Sequence, residues 1–250
     1  MKKNITALAL LAGVLAGPAA ADTVGIYAGI GQWQNSFSGD LLKEQVSVKN
    51  DLGLKHADLT QWYVNLEHPL PVLPNIRLAY ANVNEQGSGQ INQSVRYDGI
   101  TYPSGVSVNT DIAIKMTDVT LYYELWDTGG DFDVGLTGRR LNGHLALSND
   151  QLGRGQENVN DWVPMLYLNG RVDLPMTGLY VGAQGNGVAY SGNRLADYRA
   201  FVGYDFDITG PVDVGLQFGY RRLDLKLKDI GSFEGNVKLD GAFANVTMHF

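Results

Sequence analysis

Apolar residues recur at every second position in several segments of this chain, and this pattern constrains the fold more than any other feature. Between residues 212 and 221 the apolar positions are Val212, Val214, Leu216, Phe218 and Tyr220. The segments 198–206 and 242–250 repeat the pattern. Because successive side chains of a β-strand point to opposite faces, the pattern predicts strands with one apolar and one polar face.

The same alternation predicts ten strands, near residues 24–33, 57–68, 75–85, 112–126, 131–147, 161–173, 178–190, 196–207, 212–227 and 238–250. Four connections are short, at 68–75, 126–131, 173–178 and 207–212, whereas the others include long ones at 34–56 and 86–111. Short turns on one side and an even strand number are typical of bacterial outer-membrane barrels. We therefore predict an all-β fold, a single closed antiparallel transmembrane β-barrel of ten strands, with eight as the alternative.

The first residues have the composition of a secretory signal peptide. Lys2 and Lys3 precede an apolar run from Ile5 to Leu15, and Pro18 and three alanines follow it. The run is shorter than the roughly 20 residues that a membrane-spanning helix needs. We predict a cleaved signal peptide over 1–21, the barrel over 22–250, and a location in the bacterial outer membrane.

Charge and composition exclude several kinds of partner and cofactor. The formal net charge is -7 at pH 7, without a basic stripe, which argues against nucleic acid. The chain contains no cysteine, and it has no phosphate-cradling glycine loop or metal-ligating histidine pair. We expect no cofactor and no bound metal. Asp127, Asp131 and Asp133 lack the spacing of a known calcium loop, and we interpret them as turn residues.

Aromatic residues fall at two levels of the predicted strands, as two interfacial girdles require. The level near the long loops holds Trp33, Trp162, Tyr198 and Tyr220. The level near the short turns holds Trp126, Tyr204, Phe206 and Phe250.

The closing segment, Gly241 to Phe250, resembles the C-terminal recognition signal of bacterial outer-membrane barrels. The matching positions are Val246, Met248 and the terminal Phe250. The resemblance implies insertion by the outer-membrane assembly machinery.

A second segment, from Leu121 to Leu136 with Gly129 and Gly130 at its centre, resembles the central strand-turn-strand of an uncharacterised family of small outer-membrane proteins named for a Gly-Gly pair. That resemblance implies the fold and assigns no activity.

Polar residues on the inner face of the strands predict what fills the barrel. The set is Gln61, Asn65, Glu67, Arg77, Glu124, Asp133, Arg139, Asn169, Arg171, Gln184, Arg199, Asp205, Gln217, Arg221 and His249. A ten-stranded barrel has a narrow interior, so we expect these side chains to pair and plug it, with an open pore as the alternative.

Toward the long loops the alternation inverts, and apolar residues face inward. They are Ile112, Ile114, Met116, Leu141, Leu145, Leu147, Val163, Met165, Leu223, Leu225, Leu227 and Leu239. They form either the core of a barrel that rises above the bilayer or an apolar mouth for a hydrophobic ligand.

Cations face outward at this height, namely Lys115, Arg140, Arg222, Lys226, Lys228 and Lys238. They form either a solvated face or contacts to lipopolysaccharide phosphates.

Catalysis has little support in the sequence. Asp58 lies two residues after His56, and Ser148 lies four after His144, but neither spacing matches a known outer-membrane enzyme motif. We predict a non-enzymatic barrel with a structural or surface-interaction role. Its partners would be outer-membrane lipid and lipopolysaccharide, and its oligomeric state is open. The alternatives are a narrow channel or a transporter for small or hydrophobic molecules, and an outer-membrane hydrolase.

Overall fold

A computed structural model describes residues 25–42, 44–70, 72–206, 212–230 and 233–250, but not the side chains of residues 227, 229–230 and 233–234. The predicted signal peptide lies outside these residues, as does the side chain of Leu227. The described chain consists of strands, turns and loops. Across these ranges no helix is long and apolar enough to cross a membrane.

Ten long strands form the wall of the molecule, and three short strands lie in its loops. The wall strands are β1 (Gly25–Leu41), β3 (His56–Glu67), β4 (Asn75–Gln90), β7 (Ser107–Trp126), β8 (Gly130–Asn149), β9 (Gly153–Asp173), β10 (Leu179–Tyr190), β11 (Asn193–Phe206), β12 (Asp213–Ile230) and β13 (Phe233–His249). The short strands are β2 (Val46–Ser47), β5 (Val95–Tyr97) and β6 (Ile100–Tyr102).

Each wall strand pairs antiparallel with the next along the chain, and β13 pairs with β1. This last pairing closes the sheet, with Tyr27 opposite His249 and Trp33 opposite Phe243. The prediction of a closed ten-stranded antiparallel barrel is confirmed. Closure removes the unpaired strand edges, so every wall strand has hydrogen-bonding neighbours on both sides.

Several strands continue further toward the long loops than the sequence pattern predicts. β1 reaches Leu41 rather than residue 33, β4 reaches Gln90 rather than residue 85, and β7 begins at Ser107 rather than residue 112. The predicted loops at 34–56 and 86–111 are therefore too long. In these extensions both faces carry polar residues, so the alternation that marks a strand in lipid is lost.

The outer surface carries a belt of exposed apolar side chains, of which Ile30, Leu78, Leu121, Leu166, Val202 and Phe218 are examples on six strands. Trp162, Tyr198 and Tyr220 are exposed near one edge of the belt, and Trp126, Tyr204, Phe206 and Phe250 near the other. Trp33 was wrongly assigned to the girdle. It shares the strand face of Gly29 and Gly31, lies fully buried inside the barrel, and donates a hydrogen bond from Nε1 to the Gly241 carbonyl at 3.2 Å.

The end of the barrel that carries the long loops encloses a hydrophobic core. Phe37, Leu59, Val83, Met116 and Leu223 contribute to it from the wall. Two loops complete it: residues 42–55, between β1 and β3, and residues 91–106, between β4 and β7. We call these two loops the cap. Their buried apolar side chains are Leu42, Val46, Val48, Leu52, Leu54, Ile91, Val95, Tyr97 and Tyr102.

Candidate functional site

The middle of the barrel holds a network of arginine and aspartate side chains. Arg139 projects inward from β8 and donates from Nε and Nη2 to the two carboxylate oxygens of Asp118, each at 2.7 Å. Its Nη2 also lies 2.7 Å from Asp197, which accepts two further bonds from Arg221 at 2.7 and 2.9 Å. Bidentate charge-assisted bonds of this kind fix both partners, so four strands are tied together across the interior.

Amide side chains extend this network around the barrel. Arg221 donates to Gln61 at 2.7 Å, and Gln61 donates to Asn245 at 2.9 Å. Asn245 in turn donates to Gln217 at 3.0 Å. Arg77 donates to Asn65 at 2.6 Å, and its guanidinium lies 4.1 Å from the centre of the Tyr63 ring. The network therefore includes side chains of β12, β13, β3 and β4 in addition to β7, β8 and β11.

A cavity of about 50 Å³ remains inside this network. Arg77, Arg139, Arg199 and Arg221 line it, together with Asp118 and Asp197. Two of these residues were not in the predicted set, although the alternation marks them. Asp118 shares a face with Met116 and Glu124, and Asp197 shares one with Arg199.

The interior near the short turns is also occupied by polar pairs. Tyr122 donates to Glu67 at 2.6 Å, and Asn169 donates to the buried Asp133 at 3.0 Å. Arg171 binds both Asp173 and Asp205 at 2.7 Å. Among the described residues no group of three acidic or histidine side chains is arranged to hold a metal ion.

The cap is fastened to the wall by two tyrosines of its hairpin β5–β6. The Tyr97 hydroxyl donates to the Leu145 carbonyl and the Tyr102 hydroxyl to the Leu147 carbonyl, both at 2.8 Å. The amide of Gly155 donates to the Tyr102 hydroxyl at 3.1 Å. Burial raises the pKa of both tyrosines above the ordinary value, so the hydroxyls stay protonated donors. No sequence pattern predicted these contacts.

The residues of the predicted apolar mouth lie in the core beneath the cap. Met116, Leu145, Met165 and Leu223 are buried there, along with Ile112, Leu147 and Leu239. Ile114, Leu141, Val163 and Leu225 are partly buried and pack against the same core. Their apolar surface is therefore in contact with side chains of this chain itself.

The predicted cations lie on the outer surface in two groups. Lys115 and Arg140 belong to the first, and Arg140 stands directly opposite Trp162 on the neighbouring strand. Arg222, Lys226, Lys228 and Lys238 belong to the second, and Arg222 stands opposite Tyr198. We call the six together the basic rim. Arg194, which was not predicted, is exposed opposite Lys226. Two acids lie beside the second group: the buried Asp224, bound to Arg222 at 3.2 Å, and Asp240, bound to Tyr220.

The predicted histidines do not join a triad. The Ser36 hydroxyl and His56 Nδ1 are hydrogen-bonded at 3.0 Å in a shallow outer groove that Asp58 also lines. No carboxylate is hydrogen-bonded to His56 among the described residues. His144 lies 3.7 Å from Asp111, whereas Ser148 donates to the Asn109 carbonyl. Neither group aligns a hydroxyl, an imidazole and a carboxylate.

The predicted assembly signal lies on the outer face of the closing strand. Val246 and Met248 are exposed and stand opposite Ile30 and Ala28 of β1. Phe250 is exposed, and its backbone exchanges hydrogen bonds with Ile26 at 3.2 and 2.9 Å. The role of these residues in recognition by the assembly machinery stays a prediction.

No protein-family model and no curated protein sequence matches the chain. Solved structures similar to it include the outer-membrane protease OmpT from Escherichia coli, at 9% identity and a TM-score of 0.49, over 92% of this chain and 97% of that one. The β domain of the Bordetella autotransporter BrkA matches at 10% identity and a TM-score of 0.38, over 92% and 99%. The P. putida toluene transporter TodX matches at 8% identity and a TM-score of 0.28, over 92% of this chain and 90% of that one.

Proposed function

We propose that this protein is an integral barrel of the bacterial outer membrane with a closed interior, whose basic rim binds the phosphate groups of lipopolysaccharide. The observation that carries the proposal is the position of the rim. Arg140 and Arg222 stand opposite Trp162 and Tyr198, two exposed aromatic residues at the edge of the apolar belt. Aromatic side chains favour the boundary between hydrocarbon and headgroups, so the neighbouring cations meet the phosphate layer.

The apolar belt supports a membrane location. A side chain such as Leu136, 66% exposed, or Phe218, 52% exposed, gains nothing from facing water. Large contiguous exposed apolar surfaces mark interaction or membrane sites. In a closed barrel the wall strands pair their backbone groups with neighbours on both sides, and the hydrocarbon interior of a membrane demands such pairing.

Neutralising one half of the rim tests lipopolysaccharide binding. We expect the triple variant Lys226→Gln, Lys228→Gln, Lys238→Gln to bind purified lipopolysaccharide at least about tenfold more weakly, since each cation near an anionic membrane surface contributes about 1 kcal/mol. Binding is measured in detergent micelles at two salt concentrations. The control is Lys49→Gln, Lys55→Gln, Arg96→Gln, which removes the same charge from exposed cap residues. Equal loss in both variants would contradict a specific role for the rim.

Planar bilayers separate the closed barrel from its main alternative. The ionic network, the apolar core and the cap each occupy the interior, so we expect the reconstituted protein to show no discrete conductance steps. Steady unitary steps would make a narrow channel the better function. Release of a bound apolar molecule from protein purified from membranes would instead favour the transporter for hydrophobic molecules.

An outer-membrane hydrolase is the alternative with the least support in the described contacts. Ser36 and His56 supply a hydroxyl and an imidazole, but the described contacts include no carboxylate bound to His56. A nucleophilic triad needs that third group to orient and stabilise the charged imidazole.

A further inference from the structure

Buried positive charge exceeds buried negative charge around the central cavity. Four arginine side chains line it, against two carboxylates, those of Asp118 and Asp197. Both carboxylates are already bound to Arg139 and Arg221. Arg77 and Arg199 therefore leave two positive charges uncompensated within the lining, and an unpaired charge in a barrel interior is costly.

The contacts of Arg77 and Arg199 do not supply the missing negative charge. Arg77 donates to Asn65 and, at 3.5 Å, to Gln184, both neutral amides. Arg199 contacts aromatic rings, with its guanidinium 5.4 Å from the Tyr63 ring and 5.7 Å from the Phe243 ring. Such cation–π contacts lower the cost of burial without neutralising the charge. Within the described residues neither arginine forms an ion pair.

Two guanidinium N–H groups at the cavity also lack a hydrogen-bond acceptor among the described side chains and backbone. They are Nε of Arg199 and Nη1 of Arg139, and both atoms are buried. Arg139 as a whole is 1% exposed. Buried donors in folded proteins are nearly always paired, so the cavity presents donor groups and excess positive charge to whatever occupies it.

We propose that this cavity binds a small inorganic monoanion, chloride, between Arg77, Arg139 and Arg199. The anion supplies an acceptor for the orphan donors and half of the missing negative charge. The volume suits it: one water needs about 10–15 Å³, so about 50 Å³ has room for a monatomic anion but not for an organic acid such as gluconate. The bound anion completes the mid-barrel plug.

The carboxylates near the short turns are committed to other partners. Asp133 accepts a hydrogen bond from Asn169, and Asp173 and Asp205 are bound to Arg171. None of the three lines the cavity. Asp133 attracts Arg77 electrostatically from outside the lining, so the excess of two positive charges is a property of the lining itself.

Anion exchange at constant ionic strength tests the proposal. The protein is purified from membranes, transferred into detergent, unfolded, and refolded with chloride replacing gluconate in steps. We expect the midpoint of thermal unfolding to rise with chloride by about 5 °C and then to saturate, as a specific ligand of the folded state requires. Identical midpoints in chloride and gluconate would overturn the proposal.

Two arginines of the same strand provide the variant and its control. Arg199→Gln removes one of the uncompensated charges, and we expect the chloride-dependent rise to be lost. Arg194→Gln changes an exposed residue five positions away, and the rise should remain. A rise that survives in Arg199→Gln would show that chloride acts elsewhere.

A direct measurement covers the case in which Arg199→Gln fails to fold. Crystals of the unmodified protein grown in bromide should give an anomalous scattering peak inside the barrel, between Arg77 and Arg199. Bromide is chemically close to chloride and is located without reference to stability. No peak at this position would overturn the proposal whatever the thermal data show.

Discussion

Asp197→Ala is expected to lower the free energy of unfolding by about 3–5 kcal/mol, the loss typical of removing one partner from a buried ion pair. The Asp197 carboxylate lies 2.7 Å from both Arg139 and Arg221, and its side chain is 5% exposed. Its removal leaves the guanidinium of Arg221 with Gln61 alone and that of Arg139 with Asp118 alone. The four arginines that line the central cavity then face one carboxylate, that of Asp118.

Urea unfolding of the protein in lipid bilayers, followed by tryptophan fluorescence, measures this change. Asp150→Ala is the matched control, because Asp150 is exposed in the turn between β8 and β9. Its effect should stay within about 0.5 kcal/mol. If Asp197→Ala were as stable as the control, the network would be dispensable, and the charges of the interior would have to be balanced in another way.

The part of the fold that lies in the apolar belt was predictable because its side chains alternate between apolar and polar or small residues. In β12, Val214, Leu216, Phe218 and Tyr220 face outward while Gly215, Gln217 and Gly219 face inward. A strand in hydrocarbon must be apolar outside, and a narrow interior takes polar or small residues. The order and pairing of the strands then follow from the short turns that join them.

Beyond the belt the inverted alternation marked inward-facing residues such as Met116 and Leu223, but the ends of β1, β4 and β7 were missed. In β1 the residues after Trp33 are polar on the outer face, and only Phe37 and Leu41 mark the inner face. Two apolar residues four positions apart do not identify a strand. The cap is harder still, since its buried residues take their positions from contacts with distant strands. An example is Tyr97, whose hydroxyl meets a carbonyl 48 residues away.

For the interior, the alternation predicts which side chains point inward but not which of them pair. Arg139 was predicted to face the interior, whereas its partners lie 21 and 58 residues away on β7 and β11. The stagger of strands around the barrel sets the relative heights of these side chains, and the sequence pattern carries no direct measure of it. Trp33 is a second residue whose position was predicted wrongly. It was assigned to the girdle because tryptophan favours the membrane boundary, but its strand face points into the barrel.

The two halves of the interior differ for one physical reason. Where water surrounds the wall, the barrel needs a hydrophobic core, and Phe37, Met116 and Leu223 supply it. In the proposed membrane location the belt faces lipid, so apolar burial inside the barrel gains less there, and hydrogen-bonded charges such as Arg139 and Asp118 hold the strands together. The cavity with its excess of arginine lies in the part of the interior behind the apolar belt. Ala81 and Met116, which belong to the hydrophobic core, line one side of it.

The seam between β1 and β13 depends on a glycine that admits no side chain. Trp33 pairs with Phe243 and Ser36 with Asp240, which places Gly241 against Gln34 and Asn35. A Cβ at Gly241 would overlap the Gln34 carbonyl oxygen and come within 2.8 Å of the Asn35 Cα. Both are backbone atoms of β1, which pairs with β13 at the seam, so neither moves without opening the seam.

Gly241→Val is therefore expected to destabilise the barrel by about 3 kcal/mol or more, at or beyond the upper end of overpacking. The folded fraction should fall sharply, measured as the heat-modifiable band in unboiled gel samples after refolding. Gly187→Val on β10 is the control: a Cβ there meets its nearest atom at 3.9 Å, and valine favours strands. Equal folded fractions of both variants would contradict the close approach at the seam. A folded fraction that falls only in Gly241→Val would show that the backbones of the first and last strands leave no room for a side chain there.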